Sequence, residues 1–284
     1  MEENNIENKN KKKGALRKGV YLLPNTMTSL SLFFAFYSIV MTMSGNYVTA
    51  AWSILISMIF DSFDGTVARV TGTTSEFGAE YDSLADLVAF GVAPAVLIYE
   101  WALYPFHKWG IFAAFLYLLC TALRLGRFNV QSGTVEKKGF MGLPSPGGAS
   151  GIATTVLFYF YIEGGKGGRL GDLIRSKMIS PHHVIFLALT ILIALLMVST
   201  VGYKSGKDLS IFKKFPFLYL ILAVILIVLV FFEPQIMLFL LIYTYILSGI
   251  IGTIFNRGKR LREKEQLKEL VEGGLNDEDD RDCK

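Results

Sequence analysis

Long apolar blocks, separated by short polar segments, dominate the hydrophobicity pattern of this chain. A helix needs about 20 predominantly apolar residues to cross the hydrocarbon core of a bilayer. The polar, lysine-rich residues before the first block lead into a full-length span instead of a short signal-peptide core, so we expect that span to be kept as an anchor. The pattern predicts eight transmembrane helices, over residues 25–44, 48–69, 79–99, 109–130, 148–162, 182–201, 215–232 and 235–255.

The composition supports this interpretation. Of the 284 residues, 52% are hydrophobic, and the mean hydropathy is +0.44, both high for an ordinary soluble domain. The chain has two cysteines and three histidines, with no spacing typical of a zinc site, a disulfide framework or a serine hydrolase. We therefore expect an all-α polytopic membrane protein whose chemistry depends on other residue types.

Lysine and arginine residues are distributed unevenly between the two predicted sides of the membrane. Most of the 28 lie before the first span, in alternate loops and after the last span, although the segment 163–180 is an exception. Because such residues are enriched on the cytoplasmic side, both termini and the loop between the second and third spans are predicted to be cytoplasmic.

The basic runs at both ends of the chain favour contact with anionic membrane lipids. Nucleic acid is not an expected partner, because no aromatic residues interleave with these runs to stack on bases. The polar and highly charged segment 264–284 is expected to be disordered.

Four aspartates, Asp61, Asp64, Asp82 and Asp86, lie within or beside the predicted spans. A carboxylate at membrane depth costs several kcal/mol unless it is paired, hydrated or bound to a cation. The spacing within each pair, i to i+3 and i to i+4, puts its two members on one helix face. Since the glycines and small polar residues of "TGTTSEFG" predict a helix break between the pairs, we expect both pairs to face one site.

Four converging carboxylates repel one another, and a divalent cation relieves that repulsion. Oxygen ligands favour Mg²⁺ or Mn²⁺ over zinc. Gly65, Ala68 and Gly78 lie on the same helix faces as the aspartates, so a metal-bound phosphate has room to approach. A polar seam of ion-paired or protonated side chains is the structural alternative, and a metal-ion transporter is the alternative function.

The stretch resembles the signature of the CDP-alcohol phosphotransferase family. The matching pattern is Asp61-xx-Asp64-Gly65-xx-Ala68-Arg69, then eight residues, then Gly78-xxx-Asp82-xxx-Asp86. The resemblance implies a six-helix membrane core, a homodimer, and aspartates that bind divalent metal and the CDP-linked substrate. It further implies that Asp61, Asp64 and Asp82 are metal ligands and that Asp86 is both a ligand and the general base. The residues it implies for binding CDP-diacylglycerol are Asn25, Thr28, Asp61, Gly65, Ala68, Arg69 and Gly78.

Two further stretches, "RLGRFNV" at 124–130 and "GFMGLPSPGGASG" at 139–151, resemble the bacterial phosphatidylserine synthases of this family. That resemblance implies transfer of a phosphatidyl group from CDP-diacylglycerol to L-serine, with CMP as the second product. Arg124, Arg127 and Asn129 offer donors for the serine carboxylate, and Ser145 offers a hydroxyl. Alternatively, the arginines serve topology, or the acceptor is glycerol 3-phosphate or inositol phosphate.

These expectations divide the chain into four segments. They are a basic juxtamembrane segment (1–21), a catalytic six-helix core (22–201), two additional transmembrane helices (202–256) and a charged cytoplasmic tail (257–284).

Overall fold

All regular secondary structure in the described part of the chain is helical, which confirms the all-α membrane fold. The computed structural model describes residues 24–71, 75–132, 142–164, 184–202 and 231–253, with residues 224, 228 and 229. The helices discussed below are α1 (Pro24–Met43), α2 (Tyr47–Thr71), α3 (Glu76–Phe106), α4 (Lys108–Ser132), α5 (Ser145–Glu163), α6 (Val184–Val198) and α7 (Pro234–Thr253).

Length and hydropathy separate these helices into two groups. Helices α1, α3, α4 and α7 are long and apolar enough to cross a membrane, and α6 is a shorter apolar helix. Helices α2 and α5 are 25 and 19 residues long and fall outside both groups; α2 carries two of the aspartates, and α5 is rich in glycine, serine and threonine. Most of the predicted span 215–232 lies outside the described residues. The boundaries of the four predicted segments therefore stay predictions.

Short polar side chains mark where α2 and α3 begin. Gly45 has a φ of 75°, the left-handed conformation that glycine adopts most easily, and the Asn46 side chain then accepts a hydrogen bond from the Thr49 amide at 3.3 Å. Ser75 caps α3, since its hydroxyl accepts a hydrogen bond from the Gly78 amide at 3.0 Å. Helix α2 thus ends at Thr71 and α3 begins at Glu76, so the two aspartate pairs lie on separate helices, as predicted.

Helix α3 extends further than the predicted span 79–99 and contains two π-helical segments, Leu87–Val92 and Tyr99–Leu103. The first of them directly follows Asp86. A π-turn disturbs the regular backbone ladder, and the buried Tyr117 hydroxyl donates a hydrogen bond to the Phe90 carbonyl at 2.9 Å. This bond attaches α3 to α4 close to the aspartates.

The segment before α5 is anchored to the end of α6. The Gly142 amide donates to the Val201 carbonyl at 2.9 Å, and the Leu143 amide donates to the Leu196 carbonyl at 3.0 Å. Gly142 has a φ of 89°, and a Cβ there would collide with the Met197 carbonyl, so only glycine fits. These contacts set the position at which α5 starts.

Glycines on α5 allow close helix packing. Gly148 lies against the side chains of Met197 and Ile193 of α6, and Gly151 lies against Ile246 of α7. Aromatic stacking of Phe158 on Phe239, with ring centroids 4.3 Å apart, adds to the contact between α5 and α7. Helix α7 therefore packs directly on the helices that carry the candidate site.

Candidate active site

Three aspartates from two helices meet at one point. Asp61 and Asp64 on α2 and Asp82 on α3 each offer a carboxylate oxygen, and these oxygens lie within 4.8 Å of one another. The Asp86 carboxyl group lies within hydrogen-bonding range of the Asp61 carboxyl group. The predicted convergence of all four carboxylates is present in the structure.

Helix α1 supplies a polar contact to this cluster. Asp64 is buried, and the Thr28 hydroxyl donates a hydrogen bond to its Oδ2 at 3.0 Å. Because Thr28 lies one helical turn after Pro24, the beginning of α1 is held beside the carboxylates. This places Thr28 next to a candidate ligand, where it fixes the orientation of that carboxylate.

The donor set fits a divalent cation. Asp82 Oδ1 is buried and has no hydrogen-bond partner among the described residues, an arrangement that costs free energy unless another group satisfies the oxygen. Three carboxylate oxygens at close range are the hard ligands that Mg²⁺ and Mn²⁺ prefer. Asp61, Asp64 and Asp82 would hold such an ion, with Asp86 beside Asp61.

Two glycines of the signature have different surroundings. A Cβ added at Gly65 would meet nothing within 4 Å, so protein packing does not require glycine there. A Cβ at Gly78 would lie 3.0 Å from the Ser75 hydroxyl and 3.4 Å from Asn25 Oδ1. Gly65 thus leaves open space beside the aspartates, whereas Gly78 permits the helix cap and the approach of Asn25.

The predicted acceptor residues lie on α4 and at the start of α5. Arg124 Nη1 donates a hydrogen bond to the Ser145 hydroxyl at 2.6 Å. Ser145 is fully buried, while the buried Arg124 Nε has no hydrogen-bond partner among the described residues. Arg124 is also close enough to Asp86 to attract it electrostatically. One Nη of the Arg124 guanidinium is therefore held by Ser145, and the same guanidinium lies within electrostatic range of Asp86.

The other two acceptor residues occupy different positions on α4. The Asn129 amide donates a hydrogen bond to the Ser83 hydroxyl at 3.0 Å, which connects α4 to the aspartate-bearing part of α3. Arg127 is exposed beside an open, largely apolar cleft that also includes Gly126 and Val130. Asn129 thus has a structural contact as well as its predicted role.

The structure brings most of the predicted residues to one region. The side chains of Ala68 and Arg69 lie outside the described part of the chain. Sequence reasoning missed Ser83, which bonds Asn129, and Tyr245 of α7, whose ring lies 3.5 Å from a Cβ built at Gly147. Neither residue carries a local sequence signal, since an isolated serine or an aromatic residue in an apolar helix is common.

Comparison with known proteins gives a consistent result. Residues 21–165 match the family described as CDP-alcohol phosphatidyltransferase. A CDP-diacylglycerol–serine O-phosphatidyltransferase from Helicobacter pylori is 36% identical over 239 residues, which cover 83% of this chain and 92% of the relative.

Two shorter matches come from archaea. A protein of the same name from Methanocaldococcus jannaschii is 42% identical over 151 residues, covering 53% of this chain and 61% of its own. The archaetidylserine synthase of Methanothermobacter thermautotrophicus is 41% identical over 143 residues, covering 50% and 60% of the two chains. With the aspartate cluster in place and these matches covering the helices that carry it, the chain belongs to the CDP-alcohol phosphatidyltransferase family of membrane enzymes.

Proposed function

We propose that this enzyme transfers the phosphatidyl group of CDP-diacylglycerol to L-serine, giving phosphatidylserine and CMP. The observation that carries the proposal is the juxtaposition of the carboxylate cluster with Arg124, which is bonded to Ser145 and attracted to Asp86. A cluster of this kind suits a nucleotide diphosphate with a divalent metal, and the arginine suits a carboxylate. The name of the Helicobacter pylori relative, which covers 83% of this chain, agrees with this pairing of substrates.

On the donor side, Asp61, Asp64 and Asp82 would hold Mg²⁺ or Mn²⁺. When bound, the ion supplies charge neutralisation to the diphosphate of CDP-diacylglycerol. Thr28 keeps Asp64 oriented through its 3.0 Å hydrogen bond. The open space beside Gly65 admits the phosphates close to the α2 backbone, and Asn25 and Gly78 border the same region.

The transfer step requires an acid–base group at the acceptor. The serine hydroxyl oxygen forms a bond to the lipid-linked phosphorus, and the bond from that phosphorus to the oxygen of CMP breaks. Asp86 accepts the hydroxyl proton, a role that suits its place between Asp61 and Arg124. CMP leaves with the oxygen that had bridged the two phosphorus atoms of the diphosphate.

On the acceptor side, Arg124 binds the serine carboxylate. A guanidinium can form two parallel hydrogen bonds with a carboxylate, and Ser145 holds one Nη of Arg124 so that the group is oriented before serine arrives. Asn129 supports the site through its hydrogen bond to Ser83, which connects α4 to α3. The exposed Arg127 attracts anionic substrates to the entrance of the site.

We further propose that the site opens to the cytoplasm, that both termini are cytoplasmic, and that the enzyme is a homodimer. The excess of lysine and arginine at the chain ends supports the orientation, and the family resemblance supports the dimer. A cytoplasmic site at the membrane surface lets soluble serine meet a lipid substrate that cannot leave the bilayer. Labelling of single cysteines in intact cells tests the orientation, and the mass of the detergent-solubilised protein tests the dimer.

The proposed function is tested by CMP release from CDP-diacylglycerol in detergent micelles. Purified protein is given L-serine, glycerol 3-phosphate, inositol phosphate or no alcohol, each with Mg²⁺, Mn²⁺ or a chelator. Release that needs both a divalent ion and serine supports the proposal. CMP release with a different alcohol would show that this alcohol, and not serine, is the acceptor. Cation flux in liposomes without any CMP release would favour a transporter.

A further inference from the structure

Helix α7 lies outside the residues that match the family and nevertheless touches the acceptor side of the site. The family match ends at residue 165, whereas α7 begins at Pro234. The Tyr245 ring lies against the backbone of α5 at Gly147, 3.5 Å from the position of a Cβ there. Gly147 is only two residues after Ser145, the hydrogen-bond partner of Arg124. A helix outside the family-matched region therefore also borders the acceptor side of this site.

Tyr245 and Arg124 are also neighbours in space. The guanidinium of Arg124 and the phenol of Tyr245 lie close enough to interact electrostatically. Ile246 is buried against Gly151, so the register of α7 on α5 is fixed one residue beyond Tyr245. A Cβ at Gly147 would be in ordinary van der Waals contact with the Tyr245 ring, so the ring packs directly on this part of α5.

We infer that Tyr245 is a positioning residue for Arg124 and that α7 thereby completes the acceptor subsite. This inference rests on the proposed function in one respect, namely that Arg124 receives the carboxylate of the acceptor. An arginine side chain has many rotamers, and its affinity for a carboxylate depends on how many of them are excluded before binding. Ser145 restrains Arg124 from α5, and Tyr245 restrains it from α7. Selectivity for the acceptor thus depends on a helix outside the family-matched region.

The chain offers a matched pair of tyrosines for the test. Tyr243, two residues earlier on α7, shares a hydrogen bond of 2.6 Å with the Thr155 hydroxyl. Tyr245→Phe and Tyr243→Phe each remove one phenol oxygen from the same helix, but only the first removes it from the neighbourhood of Arg124. Tyr245→Leu, which also removes the ring, is the stronger variant.

The measured quantities are the KM for L-serine, the KM for CDP-diacylglycerol, kcat and the melting temperature of the full-length enzyme. We expect Tyr245→Phe to raise the serine KM about fivefold, the size of the cost of ordering one rotamer-rich side chain on binding. The KM for CDP-diacylglycerol should stay the same. Tyr243→Phe should lower the melting temperature without changing the serine KM. A merely structural role for Tyr245 predicts instead that both KM values stay the same while the melting temperature falls.

An unchanged serine KM in both Tyr245 variants would overturn the inference while leaving the proposed function standing. If wild-type enzyme uses a different acceptor, the proposed function fails in that respect, and the KM for that acceptor tests Tyr245 in the same way. If no acceptor supports CMP release by the wild-type enzyme, both the proposed function and the inference are wrong.

Discussion

The two halves of the active site are assembled in different ways. The aspartate cluster comes from the end of α2 and the start of α3, within residues 61–86, with Thr28 as its contact from α1. The proposed acceptor side combines Arg124 of α4, Ser145 of α5 and Tyr245 of α7, which are far apart in the chain. The first half is local in sequence, and the second depends on how several helices pack.

This difference has a consequence for how such an enzyme can change. The carboxylates of the candidate metal site occupy set positions on two helix faces, so they leave a regular spacing in the sequence. Recognition of the acceptor requires only that a few donors meet in space, and helices outside the family-matched region can supply some of them. The acceptor can therefore change by substitutions that leave the aspartate pattern intact.

The largest effect is expected at Asp86. We predict that Asp86→Asn lowers kcat by about 10²- to 10⁴-fold, the usual contribution of a general base, while binding of CDP-diacylglycerol is retained. Stopped assays of CMP release and a lipid-binding assay measure the two quantities. Glu80→Gln, an exposed position on the same helix, is the control and should behave like the wild type. Near-normal turnover by Asp86→Asn would show that another group accepts the proton.

A second prediction concerns the support that α1 gives to the metal site. Thr28→Val removes the hydroxyl that bonds Asp64, and we expect the Mg²⁺ or Mn²⁺ concentration for half-maximal activity to rise about 10- to 100-fold. The serine KM at saturating metal should change little, which separates the two halves of the site. Thr42→Val is the control, because Thr42 is similarly buried on α1 and, within the described part of the chain, its hydroxyl bonds the Ser38 carbonyl of its own helix. Equal metal requirements in the two variants would show that Thr28 does not support the metal site.

The open space at Gly65 allows a third test, which separates ligand contact from protein packing. Gly65→Val should fold normally, because among the described residues a Cβ there meets no side chain and no neighbouring helix within 4 Å. We expect the KM for CDP-diacylglycerol to rise about tenfold, a cost of about 1.4 kcal/mol. Gly252→Val on α7 is the control, since its Cβ also meets nothing within 4 Å. A normal KM in Gly65→Val would show that the lipid nucleotide does not approach this part of α2.

The smallest effect is expected on the acceptor side. Arg124→Lys keeps the charge but loses the planar pair of donors, so we predict a rise of about fivefold in the serine KM. The metal requirement should be unchanged. The same substitution at the exposed Arg127 should have a smaller effect on the serine KM. If Arg127→Lys has the larger effect, the carboxylate is bound nearer the entrance than we propose.

Much of the fold was predictable from hydrophobicity, although the helix ends were less so. The predicted span 109–130 agrees closely with α4, whereas the span predicted over 79–99 belongs to a helix that continues to Phe106. The π-helical segments of α3 and the bond from Tyr117 to Phe90 are absent from any hydrophobicity pattern. They depend on contacts between α3 and α4, and the periodicity of a single helix does not predict such contacts.

Some features of the candidate site were also predictable from the sequence, and others were not. The convergence of the aspartates was predictable, because the spacing of each pair fixes a helix face and glycine with small polar residues marks the turn between them. The burial of Ser145 beneath Arg124 and the bond from Asn129 to Ser83 were not predictable. Both depend on how neighbouring helices are rotated relative to one another. A sequence pattern on one helix contains no information about that rotation.

Hydrophobicity and residue spacing were sufficient to indicate a helical membrane protein with a cluster of carboxylates that could hold a metal ion, since backbone geometry converts sequence distance directly into position on a helix face. The packing of α7 on α5, the bond from Arg124 to Ser145 and the space left at Gly65 came from the assembled helices. Such features are sums of many weak contacts between residues far apart in the chain, and the same apolar residues are compatible with many alternative helix arrangements. Only the packed structure selects one of them.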